Sequence, residues 1–125
     1  MSSTQALLPL AAKHDYVVHQ MDVKSAYLYG RLEKDKEIYL RPPQGVELIG
    51  IKPGQVLKLK ACLYGLKQAG RHWAIKLRAV MNTVSLTRSG HDHAVFYRHH
   101  ADGHVTVIEA YVDDMTLLAL TGSDL

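Results

Sequence analysis

The pattern of apolar and polar positions predicts a helix, a strand, a helical turn, two exposed strands, a long helix and a closing group of strands. Residues 4–13 are patterned as a helix with Thr4 as its N-cap, and Pro9 delays or kinks the regular part. Tyr16–Val23 is rich in valine and reads as a strand ending on Asp22. Lys24–Leu32 follows as a short helical turn closed near Gly30. Glu37–Arg41 is a second short strand, stopped by Pro42 and Pro43, and the glycine and proline density of Gly45–Gly54 marks a loop. In Val56–Ala61, Leu57 and Leu59 alternate with Lys58 and Lys60, the pattern of a half-exposed strand.

The clearest helix is expected from Leu66 to Val84. Leu66, Ala69, Trp73, Leu77, Val80, Met81 and Val84 recur at spacings of three and four, with Lys67, Arg71, Arg78 and Asn82 on the other face. Ala94–His99 and His104–Val112 then pair around Ala101-Asp102-Gly103, and Met115–Leu120 follows as a third strand. Asp113 and Asp114 thus stand at the tip of a tight hairpin. Turn geometry explains one Asp there. Two adjacent acids between apolar strands repel each other and call for another reason. The element order is α+β, with helices packed on one face of a mostly antiparallel sheet.

Composition narrows the class. With 125 residues, 47% hydrophobic and 22% charged, the chain suits one globular domain and is too apolar for a disordered one. The longest nearly unbroken apolar stretch, Ala6–Ala12, is far short of the ~20 residues of a membrane span, so no membrane partner is expected. Nor is there the basic start and cleavage pattern of a signal peptide. The single cysteine, Cys62, excludes an intramolecular disulfide and reads as a small buried apolar residue. A net charge of +3 suits a polyanionic partner without requiring one.

Asp22 ends one predicted strand, while Asp113 and Asp114 sit between two others. If those strands are neighbours, three carboxylates converge, and cations must offset their repulsion. Hard oxygen ligands with open positions suit Mg²⁺ or Mn²⁺. Two such ions about 4 Å apart activate an attacking hydroxyl and stabilise a leaving oxygen in phosphoryl transfer. Ordinary turn and strand-end acids are the alternative.

Three motifs turn this pattern into a resemblance. His19-Gln20-Met21-Asp22-Val23-Lys24-Ser25-Ala26-Tyr27-Leu28-Tyr29-Gly30 resembles the first catalytic motif of copia-type (Pseudoviridae) retrotransposon reverse transcriptases. Cys62-Leu63-Tyr64-Gly65-Leu66-Lys67-Gln68-Ala69-Gly70-Arg71-His72-Trp73 is similar to that family's "SLYGLKQAPRxW" segment, and Tyr111-Val112-Asp113-Asp114-Met115 to its Tyr-x-Asp-Asp box. Ile38-Tyr39-Leu40-Arg41-Pro42-Pro43-Gln44-Gly45 also resembles the "VYMxQPxGF" stretch. The chain departs from the family at Gly70, where proline is usual, and at Pro9, in a stretch normally free of it.

The resemblance implies a partial reverse-transcriptase domain over residues 1–125, the palm core with most of the fingers and thumb absent. It implies RNA-directed DNA polymerase activity, with two Mg²⁺ ions (or Mn²⁺) carrying nucleotidyl transfer from a dNTP to a primer 3′-hydroxyl. Asp22, Asp113 and Asp114 match the catalytic acids, and Val23 offers its backbone carbonyl to a metal ion. Tyr27 matches the aromatic steric gate under the incoming sugar, with Tyr64, Gly65 and Gln68 beside the nucleotide. Lys67, Arg71, Tyr111, Val112 and Met115 match positions along the nucleic acid. The implied partners are an RNA or DNA template, a primer, dNTPs and the rest of a polyprotein with integrase and RNase H parts. The implied location is a cytoplasmic virus-like particle, with the nucleus as the other compartment. The competing reading is a catalytically silent, truncated relic that binds nucleic acid weakly.

Plainer readings stand beside these roles. Tyr27 also suits a core position, and Trp73, on the apolar stripe, is assigned to the core with no chemistry. Lys67 and Arg71 also fit a merely solvated helix face. His91, His93, His99, His100 and His104 invite a zinc reading, but no accompanying cysteine or ordered ligand spacing supports it.

Overall fold

The computed structural model describes residues 3–33, 35–43, 50–52 and 54–120. In chain order, α1 is Ser3–Lys13, β1 Val17–Asp22, a one-turn 3₁₀ helix Ala26–Tyr29, β2 Tyr39–Leu40, β3 Leu57–Lys58, α2 Ala69–Thr83, β4 Thr87–Arg88, β5 Val95–His99, β6 Val105–Tyr111 and β7 Asp114–Ala119. The sheet runs β1-β7-β6-β5-β4 with every neighbouring pair antiparallel, and β2 and β3 form a separate two-stranded ribbon. The loop expected over Gly45–Gly54 lies largely outside the described residues.

Period-two alternation sets the sheet's faces. On β6, Thr106, Ile108 and Ala110 are buried, and on β7 Met115 and Leu117 lie opposite Ala110 and Ile108. Phe96 of β5 pairs with Ile108 on the same face. Against that face packs the α2 stripe Trp73, Leu77 and Met81, joined by Leu86 and Ala26 in one core cluster. Each large apolar side chain buried there contributes roughly 1.5–3 kcal/mol.

Four expectations are corrected. The first concerns the helices, which lie on opposite faces of the sheet rather than one. The Thr4 hydroxyl of α1 donates to Glu109 Oε1 at 2.9 Å, and Glu109 points away from the face of Ile108 and Ala110. Leu10 shares a groove with Val105, Val107 and Leu118 on that same far side. Thr4 is therefore a tether to the sheet, not a helix cap.

Second, α2 begins at Ala69 and not at Leu66. Gly65 takes φ +92°, so Leu63–Gln68 runs as consecutive turns, with Leu66 N–H donating to Leu63 and Ala69 N–H to Leu66. Third, Val80 and Val84 stay exposed, because the buried stripe is the fourfold spacing Ala69, Trp73, Leu77 and Met81. Fourth, β2 and β3 keep only two residues each of the strands expected there, and β4 was not expected at all. Pro9 lies within α1, which is helical on both sides of it. Among the described residues, no helix is long and apolar enough to cross a membrane.

Candidate active site

The acids meet through strand register. β1 and β7 pair so that Asp22, the last residue of one, lies directly opposite Asp114, the first residue of the other. Directly opposed residues hold their Cβ atoms about 4.5–5.5 Å apart on one face. The Val23 N–H donates to the Asp113 carbonyl at 2.8 Å, which extends the pairing one step into the hairpin turn. Asp22 and Asp114 are exposed and Asp113 is half-buried. Ion pairs join Lys36 to Glu33 and Lys58 to Glu37, and the His104 imidazole contacts the Asp102 carboxylate, all away from these acids. Like charges placed opposite each other destabilise the bare sheet.

The tip is corrected in one respect. Tyr111 pairs with Asp114, so the turn consists of Val112 and Asp113, and Asp114 already belongs to β7. The favoured two-residue hairpin turns take φ > 0 at their first central position, where glycine or asparagine is usual. Val112 holds φ +57° there. For a β-branched residue this costs roughly 1–2 kcal/mol. The Trp73 indole Nε1 donates to the Val112 carbonyl at 2.6 Å, joining the core stripe of α2 to the turn that carries Asp113. Its place on the apolar stripe assigns Trp73 to packing alone. The signal this assignment passes over is general: a buried indole N–H needs an acceptor.

Between β1 and α2, the 3₁₀ helix sets the aromatic positions. Ser25 at φ +57° starts it, and Gly30 closes it against α2. A Cβ on Gly30 would stand 3.0 Å from His72 Cβ and 3.3 Å from Cys62 Sγ, so only glycine fits without displacement. Tyr27 packs on the core, with its ring centroid 4.6 Å from that of Tyr64, so these two predicted nucleotide-binding residues do meet. Gly65 and Gln68 lie in the turns that follow Tyr64. Lys67 and Arg71 are exposed, and Tyr111 is 77% exposed beside the acids. Met115 differs from the expectation: at 7% exposure it packs in the core beneath the hairpin.

Gln20, Met21, Asp22, Asp114, Met115 and Thr116 line an open pocket of about 450 Å³. Among the described residues, no three His, Cys, Asp or Glu side chains are arranged to hold a metal ion by themselves. What the register does bring together is the facing carboxylate pair Asp22/Asp114, with Asp113 next to it in the turn. That donor set fits Mg²⁺, which retains several waters and takes the rest of its ligands from substrate phosphates. In the histidine-rich stretch, the His100 and His104 rings stack at 4.1 Å, and His100 Nε2 lies 2.8 Å from Thr106 Oγ1. The buried Cys62 thiol has its pKa pushed up by desolvation, which disfavours a nucleophilic role.

The family model described as reverse transcriptase (RNA-dependent DNA polymerase) matches residues 1–125. The chain is 39% identical over 118 residues to the retrovirus-related Pol polyprotein from transposon TNT 1-94 of Nicotiana tabacum, covering 94% of this chain and 9% of that protein. It is 33% and 32% identical over 123 residues to the Pol polyproteins from transposons RE1 and RE2 of Arabidopsis thaliana, covering 98% of this chain and 8% of each. The chain thus spans less than a tenth of the length of these curated relatives. No solved structure matches it.

Proposed function

Because the chain belongs to the reverse transcriptase (RNA-dependent DNA polymerase) family, we propose that it is the catalytic palm core of a copia-type LTR retrotransposon polymerase, acting within a Pol polyprotein on a primed RNA or DNA template. The observation that carries the reading is the β1–β7 register, in which Asp22 faces Asp114 and Val23 bonds to Asp113. Motifs far apart in sequence thereby supply acids to one edge of one strand pair.

Asp22, Asp113 and the Val23 carbonyl would hold two Mg²⁺ ions, with Asp114 in support. When bound, the ions neutralise the triphosphate and lower the cost of deprotonating the primer hydroxyl. The chain's own contribution is positioning. Asp22 and Asp114 supply fixed negative charge on a rigid strand pair. Tyr27, braced by Tyr64 and the core, is a wall under the sugar that excludes a 2′-hydroxyl by sterics. Lys67 and Arg71 offer charge to backbone phosphates.

Manganese titration followed by paramagnetic broadening of backbone amides tests the reading. Broadening should centre on Asp22, Val23, Asp113 and Asp114 and should be lost in Asp22→Asn. Broadening that survives unchanged in Asp22→Asn, or that centres elsewhere, rejects the site and favours the silent-module reading.

A further inference from the structure

We propose that Trp73 is a positioning residue, whose indole N–H latches the Val112–Asp113 turn in the conformation that presents Asp113 to a metal ion. The inference rests on the polymerase reading for its metal, and on the structure alone for its latch. Trp73 is 7% exposed on the core stripe of α2, and its Nε1 donates to the Val112 carbonyl at 2.6 Å. That carbonyl belongs to the residue held at φ +57°, in the left-handed region that valine rarely adopts.

Packing around the turn leaves open space. A cavity of about 160 Å³ lies beside it, bounded by Tyr27, Trp73, Phe96, Ala110 and Val112 among others. The turn therefore has room to relax toward a less strained arrangement. On its other side, Asp113 is bound through its own carbonyl by the Val23 N–H. Two hydrogen bonds thus grip the turn's two consecutive carbonyls. One comes from the neighbouring strand's end, and the other comes from α2. Tyr29 flanks the indole with ring centroids 6.3 Å apart, which helps fix its orientation.

The chain has one tryptophan, so its indole N–H gives a single resolved signal. Two variants separate latch from packing: Trp73→Phe, and replacement of Trp73 by 3-benzothienylalanine, which keeps the fused ring and puts sulfur where the N–H was. In the wild type the indole proton should exchange slowly and show hydrogen-bond coupling to the Val112 carbonyl carbon. Both variants should develop conformational exchange at Val112 and Asp113 by relaxation dispersion. The sulfur variant should keep the wild-type unfolding midpoint to within a few degrees. Both should bind Mn²⁺ about tenfold more weakly, ~1.4 kcal/mol at 25 °C. Met81→Ala serves as the packing control, because Met81 is buried on the same stripe of α2 but does not line the cavity beside the turn: it destabilises the fold but should leave Mn²⁺ affinity unchanged while folded. A fast-exchanging indole, a turn equally ordered in the sulfur variant, or an equal affinity loss in Met81→Ala overturns the latch. A wild type that takes no Mn²⁺ at these acids rejects the polymerase reading instead, and the exchange and relaxation measurements still decide whether the turn is latched.

Discussion

The β6–β7 hairpin and the β2–β3 ribbon are both antiparallel pairs, yet they are stabilised in different ways. In the hairpin, Ile108, Ala110, Met115 and Leu117 are buried beneath α2, and the strands pair from Val107–Leu118 to Tyr111–Asp114. In the ribbon, two residues pair with two, one further backbone bond runs from the Leu59 N–H to the Ile38 carbonyl, Tyr39 is 51% exposed, and the side-chain ties include an ion pair from Lys58 to Glu37 and the Tyr39 hydroxyl on the same carboxylate. An isolated two-stranded pair is marginal in water. Burial therefore lets the hairpin carry a strained turn and two opposed charges at its edge, whereas the ribbon has little stability to spare. The acids of the candidate site sit where the fold can absorb their cost.

The sharpest way to break this contrast is to empty the core behind the hairpin. Phe96 is 2% exposed and pairs with Ile108. Phe96→Ala should destabilise the chain by about 3–5 kcal/mol, the transfer loss plus the cavity left behind. Leu40→Ala, at a half-buried position of the otherwise exposed ribbon, should cost far less. Denaturant unfolding of both variants decides the matter. Comparable losses would mean that the ribbon belongs to the same cooperative core.

A smaller effect of opposite sign is expected at the edge. Removing one of two facing charges relieves repulsion, so Asp114→Asn should stabilise the metal-free chain by roughly 0.2–1 kcal/mol. The same change should weaken Mn²⁺ binding. Stability gained together with metal affinity lost is the signature of charges kept for chemistry. Added salt should shrink the stability gain, because both groups are exposed and screened. A destabilising Asp114→Asn would mean that the carboxylate has a structural partner.

Sequence reading reached far where burial and motif agree. The α2 stripe at Ala69, Trp73, Leu77 and Met81 was visible in its spacing, as were the long strands with their valines and isoleucines. The acids' meeting was legible only as a condition, since nothing local states that β1 pairs with β7. What escaped notice depends on long-range contact. Thr87–Arg88 carries no alternation and becomes a strand only by lying beside Phe96 and Tyr97. Thr4 has the chemistry of a cap but finds Glu109 across the sheet. α1 looked like a partner of α2, because amphipathic spacing does not say which face a helix will cover. Met115 followed a catalytic motif into a proposed contact, although β-alternation from Asp114 turns it inward. Trp73 was read by its ring and not by its N–H.

The smallest predicted effect concerns the ribbon's electrostatics. Lys58, and secondarily the Tyr39 hydroxyl, hold the Glu37 carboxyl below the usual carboxylate range, while Glu37 raises the pKa of Lys58 and of Tyr39. A depressed carboxylate contributes stability that is present above its unfolded pKa and lost as pH falls through its folded one. A raised lysine contributes stability that is present below its unfolded pKa and lost as pH rises through its folded one. The ribbon should therefore be held from about pH 4.5 to pH 10 and loosen outside that window at both ends. All three groups are exposed, so screening keeps the contribution small, and salt should diminish it further. Amide shifts of Tyr39, Leu40, Leu57 and Lys58, followed through an acid titration, should move together below the ordinary carboxylate range. Those of Ile108 and Leu117, beneath α2, should stay still in that step. Glu37→Gln should abolish the coordinated movement without altering the thermal midpoint. If the Ile108 and Leu117 amides move in the same step, the two ribbons are coupled, and the separation between a buried, acid-bearing hairpin and an exposed, ion-paired ribbon does not hold.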